Sequence, residues 1–182
     1  MSTIMAQATI ADLYLEEGKA ELINGEIVRF MSTGDEPGSA SGAIYAALWL
    51  YQRSVGGGRA YPDNVGFRVY LPHRGSFSPD AAWHTGPRAG MKFLEGAPAF
   101  AAEVRSENDY GRQAERDMAA KRRDYFAAGT LVVWDVDLMS DDVIKVYRHT
   151  APDSPIVYRR GEMAEAEPAV PGWQMPVDEL FL

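Results

Sequence analysis

Hydrophobic positions recur along the chain at two spacings, and each predicts an element type. In residues 9–17, Ile10, Leu13 and Tyr14 fall at helical spacing behind Thr9, a good N-cap, so a short helix is expected. The next stretch, AELINGEIVRF, holds two short apolar runs about Asn24-Gly25, the pair best suited to a type I′ turn, and predicts a hairpin. Residues 32–42, rich in Gly, Ser, Asp and Pro, are expected to be loop, and 43–54 (AIYAALWLYQRS) a mostly apolar helix stopped by Gly56-Gly57-Gly58.

Strands are expected at 60–61, 65–71, 79–83 and 100–104, with loops over 72–78 and 85–98. The run FAAEV at 100–104 is apolar except for Glu103, as in a central strand buried on both faces. Residues 111–128 form a long helix ended by Gly129, followed by the apolar strand 131–136 and a hairpin partner at 143–147. A further edge strand is expected at 156–160, an exposed acidic stretch at 162–167 and a short turn at 176–181. Helices and strands in this order predict an α/β (α+β) fold, a mixed sheet flanked by helices, as one domain over 1–182.

Three residues stand out within this pattern. Asp80 follows Pro79 on a short strand. Glu103 shares one face of its strand with Ala101 and Arg105, by simple alternation. A carboxylate there needs a partner, and an ion pair with Arg105 is the plain structural alternative. Lys121 is the third. At 100° per residue, Ala114, Met118, Tyr125 and Ala128 fall within a stripe about 80° wide, and Lys121 lies inside it. Arg112, Arg116 and Arg123 lie on the far side. Lys121 either points its ammonium toward the sheet or snorkels outward and pairs with Asp117.

Together these residue types suit metal-assisted phosphodiester hydrolysis. Two carboxylates on neighbouring strands can hold Mg²⁺ that keeps part of its water shell. The metal polarises a phosphoryl oxygen and acidifies a bound water. A lysine nearby orients that water or stabilises the developing charge.

Composition narrows the field. The 182 residues are 46% hydrophobic, enough for a real core, and include no Cys and three His. That excludes disulfides, thiolate metal sites and a thiol nucleophile. Residues 1–18 lack a basic n-region, and the longest apolar run, 43–51, is too short to span a bilayer, so a cytoplasmic protein without a membrane partner is expected. The net charge of −8 opposes unspecific nucleic-acid binding. The acidity is uneven. Residues 162–182 carry five acids and no Lys or Arg, whereas 105–123 carry six basic residues against four acidic ones.

The ordered motifs resemble those of the Uma2 family within the PD-(D/E)XK nuclease superfamily. Residues 20–28 (AELINGEIV) resemble its opening hairpin, Ser78-Pro79-Asp80 its PD element and 102–106 (AEVRS) its E-V-x-S strand. Asp117, Lys121, Tyr125 and Gly129, leading into 133–137 (VWDVD), resemble its D-x3-K-x3-Y-x3-G helix and following strand; the ending from Pro171-Gly172 to Leu180-Phe181 also matches.

The resemblance implies a restriction-endonuclease-like core and a Mg²⁺- or Mn²⁺-dependent endonuclease acting on nucleic acid, DNA before RNA. Asp80 and Glu103 would be metal ligands, with the Val104 carbonyl a third donor. Lys121 would support the attacking water, Glu21 would be an additional acid, and a homodimer would let both strands be cut. Arg105 stands where the superfamily lysine usually follows the second acid, and a guanidinium cannot act as a base. The family's histidine near 38–42 has no counterpart in GSASG. An inactive nuclease-fold module for binding or oligomerisation is the alternative; it expects the acids and lysine not to converge. Three other features carry less chemistry. His84 is expected beyond the end of its strand, Tyr45, Trp49 and Tyr51 as core or dimer contacts, and Ser106 without a base.

Overall fold

The computed structural model describes residues 7–182; residues 1–6, the start of the segment read as lacking a targeting signal, lie outside it. A six-stranded mixed sheet forms the centre. Its strands, in chain order, are β3 (Arg59–Pro62), β6 (Ala81–His84), β8 (Phe100–Val104), β9 (Val132–Val136), β10 (Ile144–Arg148) and β11 (Ala151–Tyr158), arranged β11-β10-β9-β8-β6-β3. β8 and β9 run parallel, joined by helix α3 (Arg112–Ala127), and the other pairs are antiparallel.

Alternation along β8 and β9 sends two residue sets to opposite faces. Phe100, Ala102, Val104, Val132, Trp134 and Val136 pack beneath helix α2 (Asp35–Ser54) and the C-terminal segment, with Ile44, Leu48, Trp83 and Trp173. Ala101 and Val133 face the other way, toward Tyr125 of α3 and a second sheet through Phe67 and Phe77. That sheet is ordered β2-β1-β5-β4-β7, from β1 (Ala20–Ile23), β2 (Glu26–Arg29), β4 (Phe67–Leu71), β5 (Arg74–Phe77) and β7 (Leu94–Glu95). Glu103 and Asp135 pair in register on this second face.

The expected mixed sheet and flanking helices are present, with several local differences. The first helix, α1, spans only Ile10–Leu13: Thr9 and Asp12 close a capping box, and a turn through Glu16 ends it. Helix α2 starts at Asp35, not at 43. Its first turn carries Asp35 and Glu36, and Pro37 sits where a missing N–H costs no helical bond. Ala40, Ile44 and Leu48 then form a buried i, i+4 stripe.

The expected loop 72–78 contains β5, paired with both β1 and β4. The loop 85–98 contains β7, parallel to β4. β11 begins five residues before its expected start. Residues 162–167 are not simply exposed. β12 (Met163–Glu165) pairs with β13 (Gln174–Pro176), Ala164 and Ala166 are buried, and Glu165 accepts from Arg148. A 3-10 turn at Val177–Phe181 closes the chain. No helix among the described residues is long and apolar enough to cross a membrane.

A charged groove at the ends of the central strands

The carboxyl ends of β8 and β9 open into a groove of about 1480 Å³ between α3 and the β1–β2 hairpin. Asp80 stands one residue before β6. Its N–H donates to the Ala102 carbonyl (3.0 Å), and its Oδ2 accepts from the Val104 N–H (2.7 Å), so the side chain continues the ladder where the strand pairing stops. The Asp80 carboxylate is thereby fixed against the peptide that follows Glu103.

Glu103 is held from above by α3. Lys121 Nζ donates to Glu103 Oε2 (2.8 Å) and the Tyr125 hydroxyl donates to Oε1 (2.6 Å). One turn of helix separates the two donors, which is why both reach one carboxylate. Tyr125 is locked by stacking on Phe77, with ring centroids 4.0 Å apart. Lys121 also lies 3.1 Å from Oε1 of Glu21, which β1 brings in from the second sheet.

Glu21 is fully enclosed. Arg74 Nη1 donates to its Oε2 (2.6 Å) and the Ser78 N–H to its Oε1 (2.9 Å), while Arg74 Nε donates to Asp124 Oδ2 (2.8 Å). On the opposite flank Lys19 Nζ is 2.5 Å from Asp80 Oδ1 and 2.7 Å from Asp63 Oδ1. Lys19 extends the β1–β2 ladder, accepting from the Phe30 N–H at its carbonyl, so its side chain shares a face with Glu21.

Burial, aided by Asp80 and Glu21, pushes the Glu103 carboxyl above the usual carboxylate range, although Lys121 opposes it. Burial also works against the Glu21 anion, but Lys121 and Arg74 outweigh it and hold this carboxyl low. Burial opposes the Lys121 ammonium too, and Glu103 and Glu21 more than reverse that, raising its pKa. Lys19 is likewise raised, Asp80 and Glu103 overcoming its desolvation. Burial and the two glutamates raise the Tyr125 hydroxyl, which therefore stays a donor. Both lysines remain charged, so they supply positive potential and hydrogen bonds and do not act as proton acceptors.

Asp80, Glu103, Lys121 and Glu21 thus converge, as the sequence expects. The snorkelling alternative for Lys121 does not hold, since its Nζ sits on Glu103 and Glu21, and Asp117 accepts from Gln113 instead. Nor does the Glu103–Arg105 pair form. Arg105 spans Asp135, through Nε and Nη2 at 2.8 Å each, and Glu115. Lys19, Arg74 and Tyr125 also belong to the cluster. Alternation two residues before Glu21 was a signal for Lys19, and the lysine-plus-four position one for Tyr125.

Among the described residues no three His, Asp or Glu side chains are grouped to hold a metal. The donors that do converge, the Asp80 and Glu103 carboxylates, are hard oxygens. Two such carboxylates fit Mg²⁺, which takes few protein oxygens and keeps water for its remaining positions.

His84 continues β6, where the strand was expected to have ended. It packs on Phe67 and Tyr61, away from the groove, and burial pushes its pKa down. Tyr51 lies edge-on to Trp83 and donates to the Pro171 carbonyl, a core role.

Residues 9–178 match the family described as "Uma2: Putative restriction endonuclease". The chain belongs to the Uma2 family. The crystal structure of "a putative nuclease belonging to DUF820" from Anabaena variabilis, at 1.96 Å resolution, superposes with a TM-score of 0.73. That alignment covers 95% of this Uma2 chain and 97% of the other at 15% identity, and establishes a common fold. No curated protein matches the chain.

Proposed function

We propose that this Uma2 protein is a metal-dependent endonuclease that hydrolyses phosphodiester bonds in DNA. The observation that carries the reading is the Lys121–Glu103–Tyr125 contact beside Asp80 in one groove. Asp80, Glu103 and the Val104 carbonyl would hold Mg²⁺ or Mn²⁺, which when bound supplies Lewis acidity and a more acidic water.

The chain's own groups do the rest. Tyr125 fixes one Glu103 oxygen and leaves the rotamer little freedom. Lys121, pinned between Glu103 and Glu21, offers a permanent ammonium to the charge that grows on phosphorus-bound oxygen during water attack. Glu21 acts as a positioning residue: enclosed by Arg74 and Ser78, it anchors Lys121. Family membership supports a nucleic-acid substrate, and a homodimer would bring two such grooves to the two strands of a duplex.

A non-catalytic module that kept the fold is the second reading, favoured by the net charge of −8 and by ammonium groups on both candidate ligand carboxylates. Cleavage of duplex DNA in Mg²⁺ or Mn²⁺ separates the two. Wild type should cut, and Asp80→Ala, Glu103→Ala and Lys121→Ala should not. Equal cutting by the variants, or none by wild type, removes the nuclease assignment. A crystal soak in Mn²⁺ should place a peak between Asp80 and Glu103.

A further inference from the structure

Each candidate ligand carboxylate in the groove faces one lysine, but the two lysines are anchored differently. Lys121 is clamped from both sides by Glu103 and by Glu21, whose side chain is 1% exposed. Lys19 is clamped by Asp80 on the inner side and, on the outer side, by Asp63 from the connection between β3 and β4, whose side chain is 36% exposed. The Lys19 side chain is itself 15% exposed and lines the groove. Its ammonium has three N–H donors, and two acceptors lie within reach. Once Asp80 turns its oxygens to a cation, Lys19 keeps Asp63 and has donors free at a fixed place in the groove.

Charge balance points the same way. Lys19, Arg74 and Lys121 on this face contact five acids, Glu21, Asp80, Glu103, Asp63 and Asp124, so the positive charges there are already outnumbered. Each lysine there is therefore needed to hold a phosphodiester, and losing Lys19 would deepen the repulsion on a chain that is acidic overall. We propose that Lys19 is a phosphate-binding residue, donating to a non-bridging oxygen of the nucleic-acid backbone beside Asp80, with Asp63 as the residue that positions it. This rests on the nuclease reading of the groove.

The test is fluorescence anisotropy of a labelled duplex DNA on full-length protein across a salt series. Ca²⁺ serves as the oxygen-seeking cation for binding, and cleavage is scored in parallel samples with Mg²⁺. Lys19→Gln should weaken binding about tenfold, the loss of one charge-assisted hydrogen bond, and lower the slope of log K against log salt by about one. Lys19→Arg should keep the slope. Asp63→Asn should weaken binding by less than Lys19→Gln does, and it tests the same claim should Lys19→Gln melt early. An unchanged affinity and slope in Lys19→Gln, with tighter Ca²⁺ binding by calorimetry in the absence of DNA, would make Lys19 only the counter-ion of Asp80 and overturn the proposal. If wild type neither binds nor cuts duplex, the nuclease reading itself fails; a failure confined to the variants strikes the role of Lys19 alone.

Discussion

Two buried ion clusters lie side by side on one face of the central sheet, and they are built to opposite ends. In the first, Arg105 (side chain 2% exposed) meets Asp135 (5% exposed) through Nε and Nη2 in two N–H···O bonds of 2.8 Å each and reaches Glu115 through Nη1 and Nη2. One guanidinium saturates one buried carboxylate in fork geometry, and nothing is left over for a ligand. In the second, Glu103, paired in register with Asp135, shares its surroundings with Asp80 and Glu21 and receives only single-point donors. Burial first, and the like charges of Asp80 and Glu21 after it, hold the Glu103 carboxyl above its usual range, whereas Arg105 is held firmly charged by Asp135. The first cluster is neutralised pair by pair, while in the second a carboxylate with a perturbed pKa lines a groove, the mark of a candidate functional site.

Removing Arg105 should have the largest effect on this contrast. Arg105→Ala leaves Asp135 buried without its counter-charge, which typically costs about 3–5 kcal/mol. Chemical denaturation should show that loss, with cleavage by the surviving folded fraction retained. Full stability in this variant would dissolve the distinction between the clusters. Lys121 is the reverse case. Lys121→Met keeps a four-atom stem and loses the ammonium, so it should lower kcat by about 10²–10³-fold, the scale for one transition-state donor. A loss in KM alone would mean that Lys121 binds substrate without favouring the transition state.

Metal and pH sharpen the comparison next. A carboxyl whose folded-state pKa lies above its unfolded value binds more protons when folded, so stability falls as pH rises through that window. Glu103 therefore costs stability in metal-free protein above the ordinary carboxylate pKa. Glu103→Gln should melt above wild type at neutral pH in EDTA, and the gap should close as pH falls toward the carboxylate range. Divalent cation should reverse the order. At about a hundred times its Kd it stabilises wild type by about 2.7 kcal/mol, and Glu103→Gln by much less. A variant that melts below wild type in EDTA at every pH would show that the glutamate is structural, like Asp135.

Much of this was legible in the residues because it is local. The Glu103 face follows from strand alternation, and the inward aim of Lys121 from helical periodicity. The hairpin needs only Asn24-Gly25, where both residues adopt positive φ. What escaped was non-local. β5 looks like loop because Arg74 and Ser76 are polar. They are buried since Arg74 meets Glu21 and Asp124, and Ser76 accepts from the Leu22 N–H, all about fifty residues away. Gly75 permits that approach, for a Cβ there would lie 2.6 Å from Leu22 Cδ2. The early start of α2 was hidden for a related reason: small and polar residues that favour loops also allow a helix to pack closely, as Ala40 and Ser41 do.

The smallest effect belongs to Tyr125, which joins the two regimes. Its ring is part of the core, stacked on Phe77, while its hydroxyl serves Glu103 in the groove. Tyr125→Phe keeps the ring and deletes only the donor. Packing predicts little change; the lost hydrogen bond is worth about 0.5–1.5 kcal/mol. The effect on Glu103 has a definite sign. A donor removed from its Oε1 makes the anion less favourable, so the carboxyl should titrate still higher, and the acid limb of the cleavage–pH profile should move to higher pH. Cleavage at neutral pH should fall only a few-fold, and raising the pH should recover part of it. A pH profile identical to wild type would place the hydroxyl with the saturated, structural bonds of Arg105 and leave Lys121 as the group that sets the state of Glu103.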